Sequence, residues 1–589
     1  MKEKLKEILT ESIKSLEKSK KMDLSDIRID IKENKEKAFG DYSTNLSLAI
    51  SSKTNDNPKE IAKKIAIDFN HLDFIERVEI AGPGFINFFL SQNSRTEILK
   101  DINDLKSKFG AKEAGSSTSS KRILVEYVSS NPTGPLHVGH GRGAAFGSAL
   151  SSLLREVGHE VEEEYYINDQ GRQMDILAIS IWLRYLKLFE KDIVFPNNCY
   201  KGSYVNNLAE ELKKKKSEEY KHEEGIKAIK TKLIPDMTDE QLDSLIFEIK
   251  QLLEKKFDAI KTFALDAILK GIKKDLKDFG VIHNSWFKES TLFELGENDQ
   301  SSIENAVKSL EEKKYLYKKN GALWFKSTDF GDEKDRVIKR ENGHTTYFTS
   351  DIAYHSNKYD RGYDLIINIW GADHHGYLPR VNSAMVALGE DIEKFKVVFI
   401  QFANLLRSGR KVSMSTREGE FISLKELIKE VSSEAARFFY INRKGNQHLD
   451  FDLDLAKKET KDNPLYYIQY AHARICSVFS KLQTEKKQYN ESVGKDLVSL
   501  LNSEKEIQII QLLSQYSEIL NRSANNFEPH LLCYYLQELA AGFHSYYNEQ
   551  KVLVNNEEEL QARLFFLSAI RQVIFNGLKV LGIKAPVSM

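Results

Sequence analysis

His137 and His140, separated by Val138 and Gly139, are the side chains of this sequence best suited to chemistry on a phosphate group. They belong to the segment 131–143, Asn-Pro-Thr-Gly-Pro-Leu-His-Val-Gly-His-Gly-Arg-Gly. The backbone N–H groups at the start of a helix, together with the helix dipole, favour a bound polyphosphate. Imidazoles beside such a loop add hydrogen-bond donors for charge that develops during a reaction. The segment predicts a nucleotide-phosphate site, although a His-X-Gly-His tetrapeptide by itself also occurs as ordinary surface or core histidines.

A second candidate loop covers residues 409–419 and reads Gly-Arg-Lys-Val-Ser-Met-Ser-Thr-Arg-Glu-Gly. It comes directly after the last predicted strand. Its hydroxyls, cations and glycines suit a mobile loop that closes over a triphosphate and neutralises charge on the leaving pyrophosphate. Taken alone, the same composition is also typical of a polar surface loop.

Both loops need a rigid frame, and the apolar patterns around them predict a parallel sheet. An apolar run at 123–128 precedes the first loop, and apolar residues at helical spacing follow it up to Gly158. Strand and helix patterns then alternate, as in a doubly wound α/β domain. The further predicted strands are 162–167, 365–370 and 396–402, and the further predicted helices are 171–188 and 379–388.

The chain of 589 residues is too long for one hydrophobic core, so we expect several domains. The predicted fold is α/β: a Rossmann-like catalytic domain at 121–431, with a helical insertion at about 189–278. A small α+β domain at 1–110 precedes the catalytic domain. A Ser/Gly-rich linker at 111–120 joins the two. The segment 78–90 of the small domain contains a Pro-Gly turn between β segments. After about Ser432 the pattern is helical with no notable strand, which predicts a C-terminal α-helical bundle at 432–589.

Composition narrows the class of protein. The chain has 86 basic and 87 acidic residues, so its overall charge does not indicate a nucleic-acid partner. No stretch approaches the roughly 18 apolar residues of a membrane span, and the first residues lack the apolar core of a signal peptide. Three widely separated cysteines form neither a disulfide framework nor a zinc site. We therefore expect a cytoplasmic protein without a membrane partner.

The two loops, in this order, resemble the paired signature motifs of class I aminoacyl-tRNA synthetases. Within that class, several segments are similar to arginyl-tRNA synthetases of the bacterial type. One is Tyr-Phe-Thr-Ser-Asp-Ile-Ala-Tyr at 347–354, and another is Gly-Ala-Asp-His-His-Gly at 371–376. The segments 39–45, 125–143, 463–474 and 577–589 add to the likeness. The resemblance therefore extends over the whole chain.

The resemblance implies an arginine-tRNA ligase with two steps. Arginine is first activated by ATP to arginyl-adenylate and pyrophosphate, and the arginyl group then passes to the terminal ribose of tRNA(Arg). Such enzymes are expected to need tRNA even for the first step. The expected ligands are L-arginine, tRNA(Arg) and ATP, with Mg²⁺ delivered by ATP and no structural metal. We expect a monomer, in which His137 and His140 stabilise phosphate charge.

The same resemblance assigns residues to ATP. The implied ATP-binding residues are Pro132, Gly134, His137, Gly139, His140, Gly371, Asp373, His374, Met414, Ser415 and Thr416. The second loop departs from the family pattern, because 413–417 reads Ser-Met-Ser-Thr-Arg and lacks both expected lysines. The compensating cation stays open among Arg410, Lys411 and Arg417, of which we count Lys411 and Arg417 as candidate catalytic residues.

A guanidinium substrate presents a planar fork of donors, which carboxylates accept in a geometry that an ammonium group cannot match. The resemblance points to Glu126 and Asp351 for this role. The implied arginine-binding residues are Glu126, Ser129, Asn131, Tyr347 and Asp351. An alternative for Asp351 is a helix N-cap before Ile352.

Candidate tRNA contacts come from the outer domains, because the resemblance implies an N-terminal domain that grips the tRNA and a C-terminal domain that binds the anticodon. The candidates are Phe39, Tyr42, Asn45, Tyr467, Tyr470, His472 and Arg474. Aromatic and basic side chains can stack on or contact unpaired nucleotides. Aromatic residues at helical spacing also form ordinary core, which is the competing interpretation.

Alternatives stay open at this point. The run Asp373-His374-His375 could suggest a metal site, but it lacks a third ligand at a customary spacing, so we assign it to the adenosine end of ATP. Competing functions are a class I synthetase for another amino acid, a catalytically silent tRNA-binding protein, and a nucleotidyltransferase acting on a small molecule. The long helical C-terminal region disfavours the last of these.

Overall fold

The computed structural model describes residues 1–34, 36–112, 120–221, 223–296, 299–412, 422–485 and 487–589. Residues 413–419 of the second candidate loop, the two residues after it and most of the predicted linker lie outside these ranges.

The N-terminal part is an antiparallel sheet with helices on it. Its elements are α1 Lys2–Lys20, β1 Ile31–Glu33, β2 Tyr42–Thr44, α2 Leu46–Thr54, α3 Pro58–Ile67, β3 Ile75–Ala81 and β4 Phe85–Leu90. The strand order is β1-β2-β4-β3. The predicted Pro-Gly turn joins β3 to β4, and Gly82 and Gly84 adopt positive φ angles of 52° and 148° there.

Helix α4 (Gln92–Leu105) follows this sheet but packs against the C-terminal helices. Its Asn103 amide donates to the backbone oxygen of Phe565 at 3.2 Å, and its Leu99 and Ile102 are buried in the large core of the molecule. Periodicity shows that a helix has an apolar face, but it does not show which distant surface covers that face.

The central region contains the predicted parallel sheet. Its first half is β5 Arg122–Glu126, α5 Val138–Glu156, β6 Glu160–Ile167, α6 Arg172–Lys187, α7 Ser203–Lys216, α8 Glu223–Lys230, α9 Asp239–Leu253, α10 Lys255–Asp278 and β7 Ser285–Lys288. Its second half is α11 Ser302–Glu312, β8 Leu316–Lys319, β9 Ala322–Phe325, β10 Arg336–Lys339, α12 Tyr347–Asp360, β11 Leu365–Gly371, α13 Leu378–Leu388 and β12 Phe395–Ile400. The predicted alternation of strands and helices is confirmed, and helices α7 to α10 occupy the predicted insertion.

The strand order β12-β11-β5-β6-β7 places a topological switch point between β5 and β11. The chain builds outward from β5 to β6 and β7 on one side, and from β11 to β12 on the other. The loops that follow β5 and β11 turn in opposite directions, and this leaves a crevice at the carboxyl ends of the two strands. The first candidate loop follows β5, and the segment 371–376 follows β11, so the topology brings both to one crevice.

The expectation of no strand after Ser432 is wrong. The elements here are β13 Ala403–Arg407, β14 Arg410–Lys411, α14 Leu424–Val431, α15 Ser433–Ile441, β15 Leu449–Asp452 and α16 Leu453–Lys457. Strand β15 pairs in parallel with β13, from Ala403 opposite Leu449 to Leu406 opposite Asp452. A strand of four residues leaves too short an alternation to recognise without its distant partner.

Six further α-helices lie in the described residues from 464 onwards. They are α17 Pro464–Thr484, α18 Glu491–Asp496, α19 Glu504–Ser514, α20 Tyr516–Asn525, α21 His530–Glu549 and α22 Glu557–Val580. Their buried side chains join one large core with α5 and α15. Within the described ranges, no helix has the length and apolarity needed to cross a membrane.

Candidate active site

A cavity of about 630 Å³ opens at the switch point, beyond the carboxyl ends of β5 and β11. Its lining residues are 128–131, 133–135, 137, 139–140, 143, 197, 199–202, 204, 369–371, 373–374 and 400–402. Both the first candidate loop and the segment after β11 contribute to it, as predicted. The stretch 197–204 was assigned to the insertion and was not predicted to reach this site.

His137 and His140 cap the start of α5. The His137 ring Nδ1 accepts from the Gly139 backbone at 3.1 Å, and the His140 ring Nδ1 accepts from the His137 backbone at 3.2 Å. The two ring centroids are 3.8 Å apart. Because each Nδ1 accepts a backbone N–H, the proton of each neutral imidazole resides on Nε2. The loop therefore presents imidazoles of defined tautomer beside the cavity.

Both imidazoles favour the neutral form. Burial lowers the pKa of His137, and burial together with the neighbouring His137 lowers the pKa of His140 to about 3. At neutral pH these rings therefore act as hydrogen-bond donors rather than as fixed positive charges.

The turn that leads from β5 to the loop has an unusual backbone. Strand β5 ends at Glu126, two residues earlier than predicted, and Val128 and Ser129 follow with φ angles of 71° and 40°. Such angles are unfavourable for a β-branched residue, and they cluster at functional sites. The turn brings the Ser129 hydroxyl back to Glu126 Oε1 at 2.8 Å.

Most described residues assigned to ATP line the cavity: Gly134, His137, Gly139, His140, Gly371, Asp373 and His374. Pro132 is buried beside them. Met414, Ser415, Thr416 and Arg417 lie outside the described residues. Lys411 and Arg410 form the exposed strand β14 and are not among the lining residues.

The segment after β11 forms a 3-10 helix, Ala372–Tyr377. The His375 ring stacks on Phe399 with centroids 3.6 Å apart, and His374 Nε2 lies 3.6 Å from Asp373 Oδ2. Among the described residues, no group of three or more His, Cys, Asp or Glu side chains is arranged to hold a metal ion.

Four carboxyl groups act electrostatically on the Tyr166 hydroxyl. Burial raises the pKa of Tyr166 most, and the charges of Glu289, Asp351, Glu126 and Asp169 raise it further. We call these four residues the acidic cluster. Asp169 is satisfied within the protein, because it accepts from the Ser290 backbone at 2.8 Å and from the Ser290 hydroxyl at 2.7 Å.

Glu126, which the sequence analysis assigns to the guanidinium, also has a partner within the protein. Lys358, which is fully buried, donates to Glu126 Oε2 at 2.5 Å and to Asn368 Oδ1 at 2.8 Å. A buried lysine requires such a compensating charge. The 232 residues between the two partners explain why the sequence did not reveal this pair.

Asp351 and Glu289 are the members of the acidic cluster with raised pKa values. Burial raises the pKa of Asp351 to about 7, with a further contribution from Glu289. Burial also raises the pKa of Glu289, which the sequence analysis missed. Asp351 accepts a hydrogen bond from the Tyr377 hydroxyl. Among the described residues no direct ion pair joins either carboxyl to a lysine or arginine, although the charge of Lys358 lowers the pKa of Asp351 against the larger effect of burial.

Helix α12 holds Asp351 in place. Its N-cap is Thr346, so Asp351 lies inside the helix and the alternative of an N-cap at Asp351 is wrong. Arg361, which directly follows the helix, binds both oxygens of Glu164 on β6 at 2.6 and 2.9 Å. Together with Lys358, this contact fastens α12 to the central sheet. Tyr347, at the start of α12, is 56% exposed and its ring lies near Gly171.

Asn131 joins the loop to α6, because its amide donates to Gln173 Oε1 at 2.9 Å. Asn131 and Ser129 both line the cavity. Ser129 also contacts Glu126 of the acidic cluster, so it connects that cluster to the cavity wall.

Comparison with known proteins agrees with this architecture. Three family models match: an arginyl-tRNA synthetase N-terminal domain at 3–90, a class I tRNA synthetase (R) catalytic domain at 104–452 and a DALR anticodon-binding domain at 468–589. An arginine–tRNA ligase of Legionella pneumophila (strain Corby) is 46% identical, with all of both chains covered. The chain belongs to the arginyl-tRNA synthetase family. The corresponding enzyme of Thioalkalivibrio sulfidiphilus is 45% identical over the full length of both chains.

A solved arginyl-tRNA synthetase from Thermus thermophilus shares the fold, with a TM-score of 0.71, 20% identity and full coverage of both chains. The family model for the catalytic domain ends at residue 452, after β15, whereas the sequence analysis placed the domain boundary at 431.

The candidate tRNA contacts of this synthetase differ in how exposed their side chains are. Tyr42 and His472 are only 7% and 5% exposed, so their rings are not accessible for stacking in this structure. Phe39 and Asn45 are exposed on the N-terminal domain. Tyr467 and Tyr470, on α17, both lie against His544.

Arg474 extends this aromatic group. Its guanidinium lies 4.1 Å from the centre of the Tyr547 ring and 5.6 Å from that of Tyr470. A partly exposed array of stacked rings with a cation is suited to an unpaired base. Tyr467 and Tyr470 are partly buried, so they contribute to packing and also leave ring surface exposed.

Proposed function

We propose that this protein is an arginine–tRNA ligase that activates L-arginine with ATP and transfers it to the terminal ribose of tRNA(Arg). The observation that carries the proposal is the histidine-capped loop near two carboxyl groups with raised pKa values, Asp351 and Glu289, for which no direct ion pair with a lysine or arginine is seen among the described residues. A phosphate-binding loop suits ATP, and unpaired buried carboxyl groups suit a guanidinium.

In this proposal the guanidinium of arginine binds Asp351 and Glu289, and the α-carboxylate points towards the cavity past Ser129 and Asn131. The pair between Glu126 and Lys358 acts as a support that keeps α12 on the sheet. A guanidinium satisfies both carboxyl groups with parallel N–H bonds, whereas lysine offers only a point charge. The acidic cluster thereby favours arginine over lysine.

The first step is a displacement at phosphorus. An oxygen of the arginine carboxylate forms a bond to the α-phosphorus of ATP, the bond from that phosphorus to the bridging oxygen breaks, and pyrophosphate leaves with Mg²⁺. The protein contributes position and charge stabilisation rather than a nucleophile. The Nε2–H groups of His137 and His140 donate to phosphate oxygens, and Gly371, Asp373 and His374 hold the adenosine end.

In the second step a ribose hydroxyl of tRNA attacks the carbonyl carbon of the adenylate, and AMP leaves. We assign tRNA docking to exposed Phe39 and Asn45 and to the array of Tyr467, Tyr470 and Arg474. We also propose that the protein acts as a monomer, since the residues assigned to both substrates come from one chain.

The test is exchange of labelled pyrophosphate into ATP, measured with and without arginine and with and without total tRNA. We expect exchange that requires arginine and is strongest with tRNA present, followed by stable arginylation of the tRNA. Exchange driven by a different amino acid would support a synthetase of other specificity. Folded protein that binds tRNA but gives no exchange would support the silent tRNA-binding alternative.

Arginine binding should depend on pH through Asp351. The pKa of this carboxyl is raised to about 7 in the free site, and a bound guanidinium favours its charged form. Binding therefore releases a proton below about pH 7, and affinity should rise with pH by up to about tenfold per unit before levelling above pH 7. Calorimetric titration with arginine from pH 5.5 to 8, in buffers of different ionisation enthalpy, measures both effects. Equal affinity at pH 6 and pH 8 with no proton release would contradict the assignment of Asp351.

A further inference from the structure

The cavity lacks the cations that a triphosphate normally requires. Among its described lining residues there is one lysine, Lys201, and no arginine. The lowered pKa values of His137 and His140 leave those rings neutral at pH 7. The second candidate loop, in turn, carries Ser413 and Thr416 where its family pattern has lysines. Lys201 is therefore the lysine that the described cavity lining offers to a triphosphate.

Lys201 belongs to a segment that is fixed directly to the first loop. The Tyr204 hydroxyl donates to the Thr133 backbone oxygen at 2.7 Å, and the Tyr200 hydroxyl interacts with the Thr133 side chain. The Tyr200 backbone also donates to the buried Ser180 hydroxyl at 3.0 Å. Tyr200 and Tyr204, on either side of Lys201 in the sequence, thus both contact Thr133. These contacts fix the position of the Lys201 backbone relative to the first loop.

A close approach between the segments strengthens this arrangement. A Cβ atom on Gly134 would lie only 3.1 Å from the Tyr204 hydroxyl oxygen, so the absence of a side chain there lets the two segments meet. Gly134 is itself part of the predicted ATP-binding loop.

The ammonium group of Lys201 is oriented but still exposed. It donates to Asn197 Oδ1 at 2.8 Å, and the Asn197 amide nitrogen donates to Asp236 at 2.6 Å. Asn197 also lines the cavity. An exposed amide oxygen neutralises no charge, so the ammonium can exchange this contact for a phosphate oxygen at little cost.

We propose that Lys201 contacts the triphosphate of ATP and stabilises the negative charge on pyrophosphate as it leaves. The inference rests on the proposed ligase function and adds a charged residue to it from outside both signature motifs. It differs from the expectation that Lys411, Arg410 or Arg417 supplies this charge.

The test compares Lys201→Gln, Lys201→Arg and a control, Lys191→Gln, which changes an exposed lysine outside the cavity lining. In Lys201→Gln we expect kcat for arginine- and tRNA-dependent pyrophosphate exchange to fall roughly 10²-fold, as when one charged donor to a transition state is removed. The KM for arginine should change little. Lys201→Arg should recover most of the rate, and the control should match the parent protein.

Calorimetric titration with magnesium pyrophosphate gives a readout that does not depend on turnover. We expect affinity to fall about tenfold in Lys201→Gln and to be kept in Lys201→Arg, consistent with loss of one charge-assisted contact. Equal affinity and equal exchange rates in Lys201→Gln and the control would overturn the inference. Equal losses in Lys201→Gln and Lys201→Arg would also overturn it, because they would indicate a purely structural role.

The same measurements distinguish failure of the Lys201 assignment from failure of the ligase function. If the unaltered protein exchanges pyrophosphate with arginine but is insensitive to Lys201→Gln, only the role of Lys201 is rejected. If the unaltered protein shows no arginine-dependent exchange although it binds magnesium pyrophosphate through Lys201, the ligase function is rejected and the anion site stands.

Discussion

Replacing Asp351 by Asn should lower kcat/KM for arginine by roughly 10³-fold, as expected when one partner of a buried charge pair is removed. The change keeps the size of the side chain and an oxygen that can accept from Tyr377. It removes one of the two carboxylates that we assign to the guanidinium, so a bound arginine keeps its charge-assisted contact only with Glu289. The measurement is pyrophosphate exchange as a function of arginine concentration, with tRNA present.

Two comparisons make this result specific. Asp266→Asn, an exposed change on α10, should leave kcat/KM for arginine unaltered. Citrulline, which replaces the charged guanidinium by a neutral ureido group, should be rejected strongly by the unaltered protein and much less strongly by Asp351→Asn. If Asp351→Asn retained full preference for arginine over citrulline, the assignment of Asp351 would be wrong.

Replacing His140 by Asn should lower the rate of adenylate formation by about 10²- to 10³-fold while preserving the fold. The His140 ring both caps α5 through Nδ1 and carries a proton on Nε2. An asparagine oxygen can occupy the position of Nδ1 and accept the backbone N–H of His137, but asparagine has no atom at Nε2. The variant therefore keeps the cap and loses the donor that we assign to phosphate.

His140→Ala removes both features. It should lose the same activity and, in addition, about 1 kcal/mol of stability, which is the usual contribution of an N-cap hydrogen bond. His448→Asn, at an exposed position that is not among the residues lining the cavity, is the matched control. Single-turnover adenylate formation and the thermal midpoint should be measured together. A normal rate in His140→Asn would show that Nε2 of His140 takes no part in the reaction.

The frame of the site could be predicted because its signals are local. A strand, a glycine-rich loop and a helix are contiguous around His137, and the structure confirms that order with α5 beginning at Val138. Apolar periodicity likewise located β6, β11 and β12. The strand β15 was not predicted, because four residues are too few to show an alternating pattern and the strand forms by pairing with distant β13.

The chemistry of individual carboxyl groups could not be predicted in the same way. Sequence resemblance selected Glu126 and Asp351 as equivalent acceptors, but only the folded protein pairs Glu126 with Lys358 and leaves Asp351 beside Glu289. Whether a carboxylate is available depends on which charges lie within a few ångströms, and those charges come from distant parts of the chain.

The sequence by itself determined the class of fold, the family and the strand-loop-helix segment around His137, because each is encoded by neighbouring residues or by long matching segments. Tertiary structure decided that residues 197–204 meet the loop at Thr133, that Lys201 faces the cavity, and that Tyr42 and His472 are buried. These outcomes depend on long-range contacts that fix burial and charge pairing, and no local pattern of residue types records such contacts.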